Sequence, residues 1–385
     1  MPITPVLTDD VVTLRPHTTA DIDALVTMGT DPETVRWTTV PVPYERHHAE
    51  DWVLEKMPAG WHDGTSFGWA IEASEDGGEP RFAGNVDIRT GPPAEIGFAA
   101  APWARRRGLM TRAVRLATRW AFDKAGLPIV HWSAFAGHVA SWRVAHACGF
   151  TFHGERPLAL PQRGMLHDGW YASLRPGDEQ SPRTTWWPVP VLDGERVRLR
   201  AYTEADVPRI VEACSDERSR YWLATLPDPY TEQSAREFIR AKRLGESLGQ
   251  SVTWAVADRD DDRLLANVAA FGLDDPFSPT GGEIGYWAHP DARSRGIVSE
   301  AVDLAVAHAF APVTAGGLGR HRLQIGAAWS NTASRHVAER AGFTLVARYR
   351  QDGVIGFGET RSVDDGAWYE RLADGGGSAL TNPRG

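Results

Sequence analysis

The residues best placed to do chemistry lie in one run, Glu283-Ile-Gly-Tyr-Trp-Ala-His-Pro-Asp-Ala-Arg293-Ser-Arg-Gly296-Ile-Val-Ser-Glu300. A strand-like segment from Glu283 to Trp287 is broken at Pro290 and leads into a loop carrying Arg293, Arg295 and Gly296. Behind the loop, Ala301, Val302, Ala305, Val306, Ala309 and Phe310 fall at helical spacing, so the basic loop opens a helix. The first N–H groups of a helix lack intrahelical partners, and the dipole is positive at that end. With the bare backbone of Gly296 and two guanidiniums beside it, such a start is a cradle for a pyrophosphate. The same construction occurs at Glu95-Ile-Gly-Phe-Ala-Ala-Ala-Pro-Trp-Ala-Arg105-Arg-Arg-Gly108-Leu-Met-Thr-Arg112, ahead of a helix with Ala113, Leu116, Ala117, Trp120 and Ala121 on one face. A lone Arg-x-x-Gly fits any basic helix cap; two copies in matching contexts form a pattern.

The elements that must position these loops are also written twice. Leu14-Arg-Pro-His-Thr-Thr-Ala-Asp21 matches Leu199-Arg-Ala-Tyr-Thr-Glu-Ala-Asp206, Trp37 matches Trp222, and Pro43-Tyr44 matches Pro229-Tyr230. Later, Ser141 matches Ser334, Gly149-Phe150 matches Gly342-Phe343, and Gly169-Trp-Tyr171 matches Ala367-Trp-Tyr369. Each copy reads as a strand (11–14; 197–199) and two helices, the first opened by a Thr-x-x-Asp cap. Three strands follow (67–72, 81–88 and one from Glu95; 251–257, 264–272 and one from Glu283). Then come the cradle helix, a short strand (129–134; 322–328), a second helix (140–148; 333–341) and two closing strands. That order predicts an α+β fold, a mixed sheet with helices on both faces. The expected domains are 1–177 and 189–373, joined by a polar, Pro-containing linker at 178–188 and followed by a disordered Gly-rich tail at 374–385. Trp186-Trp187-Pro188, opening the second copy, is expected to dock the two halves.

At 385 residues with 42% hydrophobic and 24% charged side chains, the chain can build two cores of ordinary size. No window offers the roughly 18 uninterrupted apolar residues of a spanning helix, and the first residues lack a signal-peptide pattern, so a cytoplasmic protein is expected. Cys148 and Cys214 sit in apolar helical patterns and predict two reduced core thiols. The histidines show no ligand spacing, and no metal is expected. A net charge of −9 argues against a nucleic-acid surface. Lysine occurs only at Lys56, Lys124 and Lys242, which leaves arginine, a bidentate phosphate donor, to carry the positive charge.

Pro290-Asp-Ala-Arg293-Ser-Arg-Gly296-Ile-Val298-Ser-Glu300-Ala resembles the acetyl-CoA pyrophosphate loop of the GNAT superfamily of N-acetyltransferases. Asn331-Thr-Ala-Ser334-Arg-His-Val337-Ala-Glu-Arg-Ala-Gly342-Phe343 resembles the Asn-x-x-Ser and Gly-Phe signature of the branch that acetylates ribosomal-protein N-termini. The likeness runs through both halves and implies two tandem GNAT-type domains, each with a mostly antiparallel sheet. Val298 and Met110 stand where the family prefers Gly or Ala, Ser294 and Arg106 replace a frequent glycine, and His138 takes the place of Asn331. The second copy is therefore expected to be the better acetyl-CoA site, and the first to be weakened (a degenerate domain) or turned to another role.

Acyl transfer from a thioester to an amine poses two proton problems. At pH 7 an α-amine, pKa about 7.7–8.0, is roughly one-tenth neutral, while a lysine near 10.4 is about a thousandfold from neutrality, so a general base matters. A leaving thiolate, at about 8.5, needs only a hydrogen-bond donor. The resemblance implies Ser334 as that donor and Glu283 as the base; as residues alone, they also read as a helix-surface serine and an exposed strand carboxylate. It assigns the cosubstrate to the backbone of Trp287 and Ala288, to the loop Arg293, Ser294, Arg295, Gly296, Ile297 and Val298, and to Asn331, which equally reads as a helix cap. In the first copy the corresponding cosubstrate residues are Arg105, Arg107, Gly108 and Ser141. Trp37, Trp222 and Tyr230 lie where the fold places the acceptor, as a cation–π wall or as core. The expectation is direct acetyl transfer to a small-molecule amine or a protein N-terminus, by a monomer whose two copies mimic a dimer, with no nucleic acid and no membrane as partner. The alternatives are transfer from another acyl-CoA and a non-catalytic CoA- or amine-binding module acting as a sensor or sequestering protein.

Overall fold

In a computed structural model, which describes residues 4–75 and 77–374, the chain divides into two compact units, Met1–Arg183 and Thr184–Gly385. Apart from its first residue, the tail expected at 374–385 lies outside the described residues. The first unit runs β1 (Leu7–Thr8), β2 (Val12–Arg15), α1 (Ile22–Thr30), α2 (Pro32–Trp37), then α3 (Arg46–Asp51), continuous through a π-helical turn at Trp52–Lys56 with α4 (Met57–Asp63). It continues β3 (Ser66–Ser74), β4 (Pro80–Arg89), β5 (Glu95–Ala100), α5 (Leu109–Asp123), β6 (Val130–Phe135), α6 (Val139–Ala147), β7 (Thr151–Gln162) and β8 (Met165–Leu174). The second unit repeats the order: β9 (Leu192–Asp193), β10 (Val197–Arg200), α7 (Val207–Ser215), α8 (Glu217–Trp222), α9 (Glu232–Ser247), β11 (Ser251–Asp258), β12 (Leu264–Phe271), β13 (Glu283–Ala288), α10 (Ile297–Phe310), β14 (Arg322–Ala328), α11 (Thr332–Arg340), β15 (Thr344–Ile355) and β16 (Ser362–Leu372). Among the described residues no helix is long and apolar enough to cross a membrane.

Each unit has one eight-stranded sheet, ordered β1-β2-β3-β4-β5-β6-β8-β7 in the first and β9-β10-β11-β12-β13-β14-β16-β15 in the second. The parallel neighbours are β5 with β6 and β13 with β14; the other pairs are antiparallel. The parallel pairs part almost at once. The second unit pairs Glu283 with Gln324 and goes no further, so the rest of β13 and β14 face each other across an open slot. Against the sheet, α10 buries Ile297, Ala301, Val302, Ala305, Val306 and Ala309, an apolar stripe of alanines and branched aliphatics that seats the helix on the sheet.

The recurring Leu-Arg…Thr-x-x-Asp segment closes the turn before α1 and before α7. Arg15 holds the buried Asp21 at 2.8 Å, and Arg200 holds the buried Asp206 at 2.8 Å. In each, the Asp also caps the turn through the backbone N–H of Thr18 or Thr203. Two expectations are corrected. Strand register equates Asp168-Gly169 with Asp365-Gly366, because Phe135 opposes Gly169 and Ala328 opposes Gly366 at the same distance from the parallel pair. The two aspartates also do the same work, accepting from Leu158 N at 3.0 Å and Gln351 N at 2.9 Å. The Trp-Tyr pairs are thus one position out of step. Trp187 is buried inside the second unit, where Nε1 donates to Gly249 O at 3.0 Å and the ring joins the sheet core.

Candidate active site

The slot between β13 and β14 opens into a cavity of about 540 Å³. Its lining includes Tyr286, Trp287 and Ala288 from β13, Gly326 to Ala328 from β14, Ile297 to Ser299 from α10, Asn331 and Ser334 from the start of α11, and Trp222 from α8. Of the predicted residues, Arg293, Ser294, Gly296 and Val298 also line it, whereas Glu283, Arg295 and Tyr230 do not. Alternation along β13 assigns the backbone groups. His289 N donates to Leu265 O on β12, so Trp287 belongs to the same ladder, and the free N–H and C=O groups at the slot are those of Tyr286 and Ala288. Trp287, expected to offer its backbone, lines the cavity while its main chain is spent on β12.

The loop has the backbone of an anion receptor. Ser294 (φ +59°) and Gly296 (φ +74°) take left-handed conformations that turn successive N–H groups toward the helix start, and Arg106 (φ +62°) and Gly108 (φ +75°) do so in the first unit. The glycine that the family often has at the first of these positions is thus a conformational preference that Ser294 and Arg106 meet at some strain. Arg293, expected to grip a phosphate, has its guanidinium on Asp216 and on Ser219 Oγ (2.8 Å). Asp216 is the N-cap of α8, accepting from Ser219 N at 2.9 Å. Burial alone would raise the Asp216 carboxyl, but its bonds to Arg293 and Ser219 outweigh it and hold the group below the usual carboxylate range. Arg105 makes the same clasp with Asp31 and Thr34 Oγ1 (3.1 Å). The clasp was missed although its signal is in the sequence: Asp31 and Asp216 stand at one repeat position, each three residues before a Thr or Ser. Arg295 is exposed and donates to Asp291 O at 3.3 Å.

At the far end of the slot, Asn331 caps α11, its Oδ1 accepting from Ser334 N at 3.1 Å. The Tyr286 hydroxyl donates to Ser334 O at 2.9 Å and lies 3.0 Å from Ser334 Oγ. On the opposite face of β13, Trp287 packs against α7 and α9, and alternation puts Glu283 and Gly285 on the same face. At Gly285 a Cβ would lie 2.9 Å from the ring of the exposed Phe271, which would have to shift. Burial pushes the Glu283 carboxyl up to about 6, and no other charge contributes to the shift. Tyr230, expected in the acceptor wall, is instead core: it packs with Tyr202, Ile210 and Ile239, and its hydroxyl pairs with the Cys214 thiol. Burial pushes the Cys148 thiol up to about 12 and the Cys214 thiol up to about 11, which removes both as nucleophiles.

The first unit keeps the frame with different side chains. Trp37 stacks flat on His138, ring centroids 4.6 Å apart at 8°, and Phe135 stands where the second unit has Ala328. Burial, with Arg36 nearby, drives the His138 imidazole down to about 4. Glu95, the counterpart of Glu283, accepts from Ser133 Oγ and from Arg89 at 3.3 Å, and Arg89 also holds the buried Asp87 at 2.9 Å. Arg107 pairs with Glu75 at 3.1 Å, and Ser141 Oγ accepts from Trp132 Nε1 at 3.1 Å.

A sheet opened at its one parallel pair, beside an anion-receiving helix start, belongs to the class of acyltransferase folds. The Acetyltransferase (GNAT) domain profile matches residues 12–151 and again 196–344. The chain belongs to the GNAT acetyltransferase family and carries two of its domains. The chain is similar to the probable N-acetyltransferase YjcK of Bacillus subtilis, 26% identical over 156 residues that cover 40% of this chain and 83% of that protein. Among solved structures it is similar to a putative ribosomal-protein-serine acetyltransferase from Vibrio cholerae, at 20% identity and a TM-score of 0.39 over 48% of this chain and 99% of that one. It is similar also to the microcin C7 self immunity acetyltransferase MccE, solved with acetyl-CoA and AMP, at 14% identity and a TM-score of 0.40 over 49% of this chain and 99% of that one.

Proposed function

We propose that the second unit moves an acetyl group from acetyl-CoA directly to an amine, and that the first unit is non-catalytic. The observation that carries the reading is the convergence on one cavity of the left-handed loop at the start of α10, the free backbone edge of β13 and the Ser334 hydroxyl. The residues suit the cosubstrate: the helix start supplies unpaired N–H groups for a pyrophosphate, and Tyr286 and Ala288 offer strand-like pairing to the amide-bearing pantetheine arm. Ser334 donates to the sulfur as the C–S bond breaks, and Glu283, directly or through water, receives the proton the amine sheds as the C–N bond forms.

The position of Glu283 near 6 favours an acceptor of modest basicity. An α-ammonium, near 8, lies about two units above such a base, whereas a lysine lies more than four above. A peptide N-terminus or a small molecule with a weakly basic amine is therefore the acceptor class proposed. The first unit has its base tied to Arg89 and Ser133 and its slot narrowed by Trp37, His138 and Phe135, which supports a binding or structural role for that half. Calorimetry with CoA, followed by thiol release across a panel of peptides and amines with mass spectrometry of the product, tests the reading. CoA binding without turnover on any acceptor would favour a CoA-binding module.

A further inference from the structure

The two units also differ on the sheet face that α7 and α9 cover in the second. In the first unit Asn85 and Asp87 of β4 alternate onto that face, and across from them on β5 stand Ala99 and Gly97. In the second unit these places belong to Asn267, Ala269, Trp287 and Gly285. There the Tyr202 hydroxyl donates to Asn267 Oδ1 at 2.8 Å, and Tyr202 and Trp287 pack together with Ile210 and Ile239. In the first unit His17 stands for Tyr202 and Ala99 for Trp287. The hydroxyl and the indole are both gone, and Ala99 and Gly97 remain partly exposed.

Three polar groups are left over there. His17 Nε2 accepts from Trp52 Nε1 at 3.4 Å, and because an indole can only donate, the neutral ring carries its proton on Nδ1, a buried donor without a partner. Burial drives the imidazole down to about 4, so the ring is neutral at pH 7. Asn85 is 9% exposed, and its amide has no partner among the described residues. Asp87 is 5% exposed and accepts from Arg89 at Oδ2, at 2.9 Å, while Oδ1 lies over Gly97, 3.1 Å from where a Cβ would stand. Buried polar groups are nearly always paired, and leaving one unpaired costs more than a hydrogen bond returns. A donor, an amide and a carboxylate oxygen thus stand beside a floor of two small residues.

We propose that this face of the first unit binds an α-amino carbonyl group, the free amino end of a peptide or an amino acid amide. The ammonium is received by Asp87 Oδ1 and Asn85 Oδ1, and the neighbouring carbonyl oxygen accepts from His17 Nδ1–H. Burial pushes the Asp87 carboxyl up to about 6, and an ammonium beside it favours the ionised form. The ligand is held and not acetylated, since Glu95, the counterpart of the proposed base, is spent on Arg89 and Ser133. The proposal goes beyond the acyl-CoA reading of the second unit and does not need it.

The test is titration calorimetry of the full chain, without CoA, using alanyl-alanine amide, N-acetyl-alanyl-alanine amide and ethylamine. The acetylated peptide leaves Asp87 unpaired and ethylamine leaves His17 unpaired, so each should bind roughly tenfold more weakly or worse. A99W installs the second unit's residue in the pocket and should remove this binding, and N85A and D87N should each weaken it roughly tenfold. The last two change few atoms and keep the test decisive if A99W does not fold. A peptide amide that does not bind wild type, that binds all three variants as well as wild type, or that binds no better than its acetylated form overturns the proposal. A CoA titration of the same wild-type protein reports on the second unit separately. CoA binding without peptide discrimination sinks the proposal and spares the acyl-CoA reading, and the reverse result does the opposite.

Discussion

Glu283 and Glu95 begin equivalent strands and differ in their neighbours. In the second unit Phe271 occupies the place that Arg89 has in the first, so among the described residues no cation pairs with Glu283, while Glu95 is paired. With its carboxyl near 6, Glu283 ionises as pH rises through 6, and if it is the base proposed above, activity should rise with it. E283Q is expected to lower kcat/KM about 100-fold or more and to abolish that limb of the pH–rate profile. His138 gives a stability prediction of the other kind. Its folded pKa lies below the unfolded one, so the unfolded chain binds more protons between 6.5 and about 4. The contribution is complete above 6.5 and lost as pH falls toward 4, by up to about 2–3 kcal/mol. Urea titrations from pH 7 to 4 should show H138N losing less stability than wild type.

At the level of elements, the arginine ahead of each glycine loop is a clasp between that loop and the helix before the acceptor region. Arg293 joins α10's loop to α8, and Arg105 joins α5's loop to α2. D216A removes both the clasp and the cap and should cost about 1–3 kcal/mol in denaturant unfolding. Because the loop it frees lines the cavity, the KM for acetyl-CoA should rise several-fold. D31A should cost the same stability and leave that KM unchanged. Equal effects of the two on KM would show that both loops serve the cosubstrate.

For the whole molecule, the chain carries the same frame twice, and the proposal is that only the second takes the cosubstrate. Calorimetry on the full chain should give one CoA per polypeptide. G296D places a carboxylate at the start of α10 and forces an L residue to φ +74°, and should abolish binding. G108D should leave binding intact and cost only stability. A stoichiometry of two, or greater harm from G108D, would reverse the ranking of the units.

Periodicity, punctuation and repetition were enough to read the order of elements along the chain, the loop-helix junctions and the duplicated domains, because they are local properties of the chain; the candidate base and thiolate donor came from the family resemblance. Glycines and prolines mark where φ must change, and a stripe of alanines marks the face that meets a sheet. What lay beyond the sequence depends on partners distant along it. That Arg293 spends its guanidinium on Asp216, that Tyr230 turns into the core beside Cys214, and that Trp187 belongs to the sheet core of its own unit are outcomes of packing. The one-step shift of Trp170-Tyr171 against Trp368-Tyr369 is of the same kind, since strand register is set by neighbouring strands and bulges. The sequence, with the resemblance it carries, named the residues proposed to meet a nucleotide thioester. Only the tertiary structure decided that Trp37 stacks on His138, far apart in the chain, and that Phe135 stands at the place of Ala328, because such contacts are set by packing and register rather than by neighbours along the chain.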